Sequence, residues 1–571
     1  MDDSPTTALP PRRGNRAASF LRRHGSLIAI VLVALAYAQP IQALGWNQTS
    51  HYALVRALAH GKTDIDAYKD TTGDKAKDPN GHWYSSRAPG LAFYMLPAYK
   101  VMTALNVDHI THKNIAGKKN DEMIWALGLW GTVLPAMAML LLVRWLADRF
   151  EPGYGTAAAV TLGLATLILP FSTLLFSHIF SALLGFAAFV LLWRERERGS
   201  PPPRLLVSAL AGLLVGYGFT TEYPLFIVGL VLGVYLLATF PDRVKHALAY
   251  IGGGILGVVP LMLYNKAAFG SYFHVAYADL PKHHQGFFGI GMPHPKVAAE
   301  LLFNSRGLLT LAPVLALSVV GTWLMYRRGR RAEALVIGAV GALFVLYNAG
   351  YYLPFGGQVP GPRFLITALP FLAVPLALAY RRLPGPTLAL AAASTVCLTI
   401  PTLVKPFVSA EGDTGRWMRQ FESHNFQAQL ATAAGAWRWG SLIPFFVFVI
   451  GAVIAASYVT PRIGLTWRSV GAGLLAVGVW APLAIFAPRA LGIDHQAELR
   501  IVAAGDPTAV HEQFGTHPIS RLVLLALLVT IAFMLIAWLV SWWTGRRRRQ
   551  TAEWSPAAAA SPPRERTVAA T

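Results

Sequence analysis

The chain has 571 residues, of which 54% are hydrophobic and only 13% are charged, whereas soluble domains carry about 25% charged residues. This composition excludes an ordinary soluble protein and indicates an integral membrane protein. The net charge of +21 does not indicate nucleic-acid binding, because Arg and Lys cluster in short segments beside apolar runs. That placement is the positive-inside pattern of membrane proteins.

The apolar runs recur from residue 27 to residue 543, and a helix needs about 20 such residues to cross a bilayer. We therefore expect an all-α polytopic membrane protein with about fourteen transmembrane helices. The predicted spans lie near residues 26–45, 122–143, 155–173, 178–193, 205–221, 224–240, 247–264, 307–325, 333–351, 364–380, 385–404, 440–458, 468–487 and 521–543.

The first apolar run contains Ala36-Tyr37-Ala38, which is also the pattern of a signal-peptide cleavage site. Apolar residues continue to Leu44, and this favours an uncleaved anchor. Under either interpretation, residue 46 onward lies on the same side of the membrane.

The connections between the predicted spans alternate in length and charge, and the positive-inside rule assigns each a side. We expect the short basic connections in the cytoplasm: 144–153, 194–204, 241–246, 326–332, 381–384 and 459–467. We expect the long connections outside: 46–121, 265–306, 352–363, 405–439 and 488–520. Both termini are then cytoplasmic, with a basic N-terminal segment (1–25), a transmembrane domain (26–543) and a tail (544–571) that is predicted to be disordered because it is rich in Ala, Pro and Ser.

The first outer connection, 46–121, contains two short apolar segments. Residues 51–61 predict a helix with one apolar face, formed by Tyr52, Leu54, Val55, Leu58 and Ala59. Residues 88–104 are short and interrupted by Pro97, so they predict a second helix that lies in the outer membrane interface. A crossing there would place every later basic connection on the outside.

The same loop carries the first candidate site residues. Asp64 or Asp66 could act as a general base toward an acceptor hydroxyl. These carboxylates could instead bind a divalent cation, although the sequence requires no cofactor. Arg87 precedes the second interfacial helix, at the height of a lipid phosphate, where it could bind phosphate or only anchor the chain. Three further aspartates of the loop are expected to be solvated or in turns: Asp70, Asp74 and Asp78.

Other ionisable residues stand at the outer mouths of predicted spans. Arg306 and Arg363 are candidates for phosphate binding, because the positive-inside bias makes outer arginines unusual and guanidinium groups bind phosphate bidentately. His178 and Glu222 lie in tight outer turns, where an ionisable group is a functional candidate or a capping group.

No standard metal or nucleotide motif is present in the sequence. His274, His283 and His284 lack clean metal-ligand spacing, so we expect no metal site there. The one cysteine, Cys397, lies in an apolar run and excludes a disulfide framework. We find no pattern of a P-loop or a standard hydrolase.

Two stretches of the chain resemble the GT-C superfamily of membrane glycosyltransferases: HWYSSRAPGLAFYMLPAY (82–99) and RFEPGYGTAAAVTLGLATLILPFSTLLFSHIFSALL (149–184). The layout of one span before a long outer loop also resembles this superfamily. This superfamily includes protein O-mannosyltransferases and aminoarabinose transferases. The resemblance implies that Arg87 takes the place of a phosphate-facing lysine and that His178 lies near a position where many members carry an acid. One departure is Trp46-Asn47-Gln48, where such enzymes place an acidic residue after the first span.

From the residues and this resemblance we expect an inverting glycosyltransferase in the plasma (inner) membrane. It would move a sugar from a polyprenyl-phosphate donor to a glycan, lipid or protein acceptor of the cell envelope, on the outer face. A transporter or flippase for a lipid-linked substrate is the alternative, although no internal repeat is evident. An inactive scaffold is a third possibility, for which Gln48 is the main indication.

Overall fold

A computed structural model describes residues 16–106, 121–199, 204–279, 289–408, 414–461, 465–490 and 519–553. The expected all-α architecture is confirmed, since the described residues are 76% helical. In the described segments, the strands are only two or three residues long. They are β1 (Pro40–Ile41), which pairs with β4 (Ala428–Gln429), and β2 (Lys75–Lys77), which pairs with β3 (Trp83–Ser85), both antiparallel.

The helices follow the apolar runs of the sequence. In chain order they are α1 (Arg16–Tyr37), α2 (Trp46–Ala59), α3 (Gly90–Ala104), α4 (Asp121–Gly128), α5 (Leu134–Phe150), α6 (Gly155–Leu164), α7 (Ile168–Ser172), α8 (His178–Arg198), α9 (Leu205–Thr221), α10 (Phe226–Thr239), α11 (Arg243–Phe269), α12 (Pro295–Phe303), α13 (Leu308–Leu311), α14 (Ala316–Arg327), α15 (Arg331–Gly350), α16 (Leu369–Ala373), α17 (Leu376–Arg382), α18 (Pro384–Leu403), α19 (Gly415–Glu422), α20 (Leu430–Ala433), α21 (Trp439–Val459), α22 (Trp467–Ala490) and α23 (Ser520–Glu553). The last helix therefore continues past residue 543, where the transmembrane domain was predicted to end.

The chain is a multi-pass membrane protein. Within the described ranges, eight helices are long and apolar enough to cross a bilayer, or up to ten if each of two bent pairs is one span. Four further apolar helices of 10–17 residues coincide with other predicted spans. The count of fourteen therefore stays a prediction.

Two predicted spans are not straight helices. The helices before and after Pro313 meet at 100°, and those on either side of Pro375 differ by 54°. Proline lacks a backbone N–H and clashes with the preceding turn, which breaks a helix. The hydropathy of 307–325 and 364–380 predicted continuous spans, and the two prolines explain the difference.

The burial of the spans distinguishes central helices from peripheral ones. The apolar windows of α8 and α18 are 78% and 72% buried, so these two helices form the centre of the bundle. Only 22% of the corresponding windows of α11 and α23 is buried. Their exposed leucines and isoleucines, such as Leu248 and Leu528, are therefore the surface available to lipid.

The predicted outer connections contact one another at one end of the bundle. The Tyr84 hydroxyl donates to the Ala268 carbonyl at 2.8 Å. Arg306 Nη1 donates to the Gly357 carbonyl at 2.8 Å, and Val408 N–H donates to the Gln358 carbonyl at 3.0 Å. These three contacts join connections 46–121, 265–306, 352–363 and 405–439.

The predicted cytoplasmic connections form a second group, joined mainly by ion pairs. Glu151, which is 1% exposed, accepts from Arg328 at 2.5 Å and from Arg381. Arg330 pairs with Glu197 at 2.7 Å. Connections 144–153, 194–204, 326–332 and 381–384 therefore meet, as expected if they share one side of the membrane.

The first outer connection forms the two expected helices, but α2 is not an amphipathic surface helix. Consecutive residues of a helix point in different directions, so a surface helix would expose some of them. In α2, Tyr52, Ala53, Leu54 and Val55 are all buried. The β2–β3 hairpin and the residues around it cover the side of α2 that was expected to face water, since Ser50 donates to the Asp74 carbonyl at 2.6 Å. The helix is thus enclosed by the loop that follows it.

Candidate functional site

The site begins where the β2–β3 hairpin packs on α2. The hydroxyls of Ser50 and Ser85 lie 2.8 Å apart, and Ser85 Oγ accepts from the Arg87 N–H at 3.1 Å. The Arg87 guanidinium pairs with Asp74 at 2.6 Å, and both side chains are largely buried. The hairpin thereby fixes Arg87 next to α2.

The start of α3 brings Arg87 to the end of α9. A Cβ on Gly90 would lie 2.5 Å from Thr221 Oγ1, so only glycine permits this approach. The Gly90 carbonyl also accepts from the Tyr217 hydroxyl at 2.9 Å. Glu222 follows Thr221 directly, which places its carboxylate beside the segment that carries Arg87.

Glu222 contacts the first turn of α8. Its Oε1 accepts a hydrogen bond from the Ser177 hydroxyl, and His178 Nδ1 lies 3.2 Å from the same oxygen. The His178 side chain is 2% exposed and the Glu222 side chain 16%. The two candidates from separate outer turns are thus neighbours in the structure.

Arg363 enters the same cluster from the connection after α15. Its Cζ lies 5.6 Å from the Phe176 ring centroid and 5.1 Å from that of Phe364. The ring centroids of His178 and Phe364 are 5.4 Å apart. Gly356, with φ +77°, lies against the Arg363 side chain where a Cβ would overlap Nε. The Gly/Pro-rich residues 356–362, the covering run, therefore curve over Arg363.

Arg306 contacts this run from the other side. Its Nη1 donates to the carbonyls of Gly357 and Val359, at 2.8 and 3.2 Å, and its guanidinium lies over Phe355. Arg306 thereby holds the backbone that covers Arg363.

Electrostatic effects show that these groups form one cluster. Burial raises the pKa of the Glu222 carboxyl, and the Ser177 hydrogen bond and the charges of Arg363 and Arg87 act in the opposite direction. Burial together with the charges of Arg87 and Arg363 lowers the pKa of His51, on α2, to about 3. The His51 ring is therefore neutral at neutral pH. We call Arg87, Arg363, His51, His178 and Glu222 the outer cluster.

Several polar atoms at the outer cluster have no hydrogen-bond partner within the described residues. They are both ring nitrogens of His51, Nε2 of His178 and both amide atoms of Asn47. Asn47 precedes His51 by one helical turn, so the two side chains share a face of α2. Buried polar groups are nearly always paired, and such exceptions indicate water or a ligand.

Asp64 and Asp66 make their hydrogen bonds with other residues of the first outer loop. Asp66 accepts from His82 Nδ1 and from the Trp83 N–H, both at 2.7 Å. Burial opposes the ionised form, but these hydrogen bonds and the charge of His82 lower the pKa of Asp66. Asp64 accepts from the Asp66 N–H at 3.3 Å. The structure thus brings Arg87, Arg363, His178 and Glu222 together and engages the two aspartates elsewhere.

Metal-binding groups do not converge in the part of the chain that the structure describes, where no three His, Cys, Asp or Glu side chains come together. His274 Nε2 lies 2.9 Å from Asp279 Oδ2. His283 and His284 lie outside the described residues.

Sequence reasoning missed two members of this region. His51 was assigned to an amphipathic surface helix, and Asp74 was expected to be solvated. The spacing of Asn47 and His51, one turn apart on one face, was the available signal. Gln48 has a local role, since its Oε1 caps α2 by accepting from the Gly45 N–H at 2.8 Å.

An apolar cavity of about 190 Å³ lies between α12–α14, α18 and α22. Its lining includes Phe303 and Leu309, which lie three residues before and after Arg306, and also Trp480. The cavity therefore begins close to the arginine that holds the covering run.

Comparisons with known proteins complete the description. No family model and no curated protein matches the chain. Among solved structures, it is similar to ArnT from Cupriavidus metallidurans bound to undecaprenyl phosphate, with 14% identity and a TM-score of 0.46 over 82% of this chain and 80% of that chain. The apo state of the same protein gives 15% identity and a TM-score of 0.44.

It is also similar to the Archaeoglobus fulgidus oligosaccharyltransferase in the apo form, with 11% identity and a TM-score of 0.40. That match covers 89% of this chain but only 62% of the oligosaccharyltransferase chain. ArnT and this oligosaccharyltransferase are both GT-C membrane glycosyltransferases, the superfamily that the first outer loop resembles.

Proposed function

We propose that the chain is a membrane glycosyltransferase that moves a sugar from a polyprenyl-phosphate donor to an acceptor of the cell envelope, on the outer face of the plasma membrane. The observation that carries the proposal is the convergence of Arg87 and Arg363, from distant parts of the sequence, beside unpaired polar atoms of α2 and α8.

A pair of guanidinium groups suits a phosphate. Arginine presents a planar fork of N–H donors that matches two phosphate oxygens, and charged hydrogen bonds are about twice as strong as neutral ones. As the bond from the sugar to the phosphate breaks, the phosphate gains negative charge. Fixed cations in a buried site stabilise that charge more than they stabilise the bound donor.

The apolar cavity supports a lipid donor. A cavity of roughly 150 Å³ binds benzene in a protein interior, so about 190 Å³ accommodates part of a prenyl chain. The cavity reaches the Arg306 segment, which also contacts the run over Arg363. A prenyl chain in this cavity would lie beside the Arg306 segment.

The distribution of charge favours an enzyme over the alternative, a transporter or flippase. The unpaired polar atoms of the outer cluster lie at one end of the bundle. At the other end, the buried carboxylates of Glu151 and Glu333 are paired with Arg328, Arg381 and Arg196. Alternating access would require a polar path between the ends.

The roles of the remaining candidates follow from their contacts. Arg306 positions the covering run through its hydrogen bonds to the Gly357 and Val359 carbonyls. Direct contact with the phosphate was expected of Arg306 from the sequence and stays a prediction. Asp64 or Asp66 is the proton acceptor expected from the sequence, and an inverting displacement is expected from a single attack at the anomeric carbon.

The proposal is tested by binding undecaprenyl phosphate to the purified full chain, with undecaprenol as the neutral counterpart. We expect Arg363→Ala to weaken binding of the phosphate about 10- to 100-fold, because a hydrogen bond to a charged group contributes roughly 1.5–3 kcal/mol. Undecaprenol binding should not change. Arg521→Ala is the matched control, since Arg521 is 69% exposed and pairs with Glu422.

Equal binding by Arg363→Ala and Arg521→Ala would contradict the proposal. Loss of undecaprenyl phosphate binding together with undecaprenol binding would indicate that the substitution damages the fold. That result would also contradict the proposal.

A further inference from the structure

His178 is held in a way that prepares one ring nitrogen for chemistry. Its Nδ1 lies 3.2 Å from Glu222 Oε1. Its Nε2 is buried and has no partner within the described residues. The imidazole therefore faces a carboxylate at Nδ1, while Nε2 is not engaged by any described residue.

The contacts of Glu222 decide which nitrogen carries the proton. Oε1 accepts from the Ser177 hydroxyl, and an ionised carboxylate can accept a second hydrogen bond at the same oxygen. With its proton on Nδ1, which lies 3.2 Å from Glu222 Oε1, the neutral ring would keep its lone pair on Nε2. A histidine in this tautomer can take a proton from a hydroxyl at Nε2.

The surroundings place the His178 ring near Arg363. Rings of Phe176 and Phe364 border His178, with centroids 6.0 and 5.4 Å away, and the Arg363 guanidinium lies over the same two rings. Arg363, Arg87 and His51 are also the charged or titratable groups within electrostatic reach of His178. The proposed phosphate contact and Nε2 thus belong to one site.

We propose that His178 is the proton acceptor of the sugar transfer and that Glu222 is its positioning residue. This inference rests on the proposed function and assigns the base to the outer cluster instead of to Asp64 or Asp66. Asp66 is already occupied by two hydrogen bonds from His82 and Trp83.

The step conserves atoms and charge. The acceptor hydroxyl gives its proton to His178 Nε2 while its oxygen forms a bond to the anomeric carbon. The bond from that carbon to the phosphate oxygen breaks, and its electron pair leaves with the polyprenyl phosphate. One positive charge on His178 and one additional negative charge on the phosphate arise together, so the net charge of the cluster does not change.

The test compares kcat for sugar transfer with the Kd for undecaprenyl phosphate, using polyprenyl phosphates that carry a radiolabelled pentose or hexose. We expect His178→Gln to lower kcat on the order of 10²–10⁴-fold, the range of a general base, with Kd unchanged. Glu222→Gln should also lower kcat at unchanged Kd, because the ring loses its fixed tautomer. Asp64→Asn and Asp66→Asn separate this base from the one expected from the sequence, since a loss of kcat in either of them in place of His178→Gln would contradict the proposal.

His246→Gln is the matched control. His246 is another buried histidine, bonded through Nδ1 to Ser208 at 2.7 Å, and it lies in the group of α9 and α11 away from the outer cluster. The melting temperature of each variant in detergent identifies any loss of fold, and His178→Asn is a second variant without a proton acceptor.

Two failures can be distinguished. If the wild-type chain transfers sugar and His178→Gln turns over at the wild-type rate, or if Asp66→Asn loses kcat instead, the assignment of the base is wrong and the proposed function stands. If the wild-type chain transfers none of the tested sugars, the proposed function itself fails, and the assignment fails with it.

Discussion

His51 is a neutral imidazole that is buried beside two guanidinium groups. Its pKa is about 3 in the folded chain and 6.5 in its ordinary state. The unfolded chain therefore binds a proton at His51 between these values and the folded chain does not, so stability falls as the pH falls from 6.5 toward 3.

This gives a prediction on the pH dependence of stability. We expect His51→Asn to reduce the slope of unfolding free energy against pH in that window by up to about 1.4 kcal/mol per pH unit. The measurement is thermal or denaturant unfolding in detergent at several pH values. His60→Asn, at the exposed end of the same helix, should leave the slope unchanged. An unchanged slope in His51→Asn would show that this ring is not held neutral.

Arg306 and Arg363 look alike in sequence, yet their contacts differ. Since Arg306 Nη1 donates to two carbonyls, we expect Arg306→Ala to destabilise the fold by roughly 1.5–3 kcal/mol and to weaken undecaprenyl phosphate binding less than Arg363→Ala does. Unfolding and binding measured on the same preparations check this. Normal stability with binding lost as strongly as in Arg363→Ala would assign Arg306 to the phosphate instead.

At the residue scale, the sequence could identify ionisable groups at outer span boundaries because such groups are rare there. Arg306, Arg363, His178 and Glu222 were singled out by that signal, and Arg87 by its place before an interfacial helix. It did not single out His51, whose signal was its one-turn spacing from Asn47 on one face of a short helix. It also could not separate Asp66 from Glu222, since only the fold decides which carboxylate lies within electrostatic reach of Arg87 and Arg363.

Among the elements, α9 and α11 show how the backbone positions Glu222. Gly212 and Gly216 on α9 face Gly253 and Gly257 on α11, so the two helices approach to backbone contact. Thr220 Oγ1 donates to the Gly257 carbonyl at 3.0 Å, one residue before α9 ends at Thr221, and Glu222 follows directly. The glycine spacing is visible in the sequence, although which helices it joins is not.

Two adjacent glycines on α11 provide a matched test of this packing. A Cβ on Gly253 would overlap the Ala209 carbonyl oxygen, whereas one on Gly252 meets nothing within 4 Å. We expect Gly253→Ala to destabilise the chain by roughly 1–3 kcal/mol, as overpacking does. Gly252→Ala should be neutral or stabilising by up to about 1 kcal/mol. Equal melting temperatures of the two variants would contradict close packing of α9 on α11.

Across the described parts of the whole molecule, four of the predicted outer connections contact one another and four of the predicted cytoplasmic connections contact one another, which agrees with the charge pattern. The side of each group is tested with single cysteines, because Cys397 is fully buried and should react slowly. We expect Asn80→Cys, in the first outer loop, to react with an impermeant maleimide in intact cells. Arg327→Cys should react only after permeabilisation. Both positions are exposed, so the opposite result would invert the proposed topology.

Hydropathy and charge together predicted the helical architecture and the order of connections, because both depend on the bilayer and not on contacts. The bends at Pro313 and Pro375 and the enclosure of α2 were not predicted. These features arise from packing between segments far apart in sequence, such as Ser50 with Asp74.

The most direct test uses purified full-length chain in proteoliposomes with polyprenyl phosphates that carry a radiolabelled pentose or hexose, and an envelope extract as acceptor. If Arg87 and Arg363 hold a departing lipid phosphate, the label moves to the acceptor with the wild-type chain and does not with Arg363→Ala. Label that stays on the lipid with every donor, or a labelled lipid that crosses the bilayer without transfer, would contradict a glycosyltransferase.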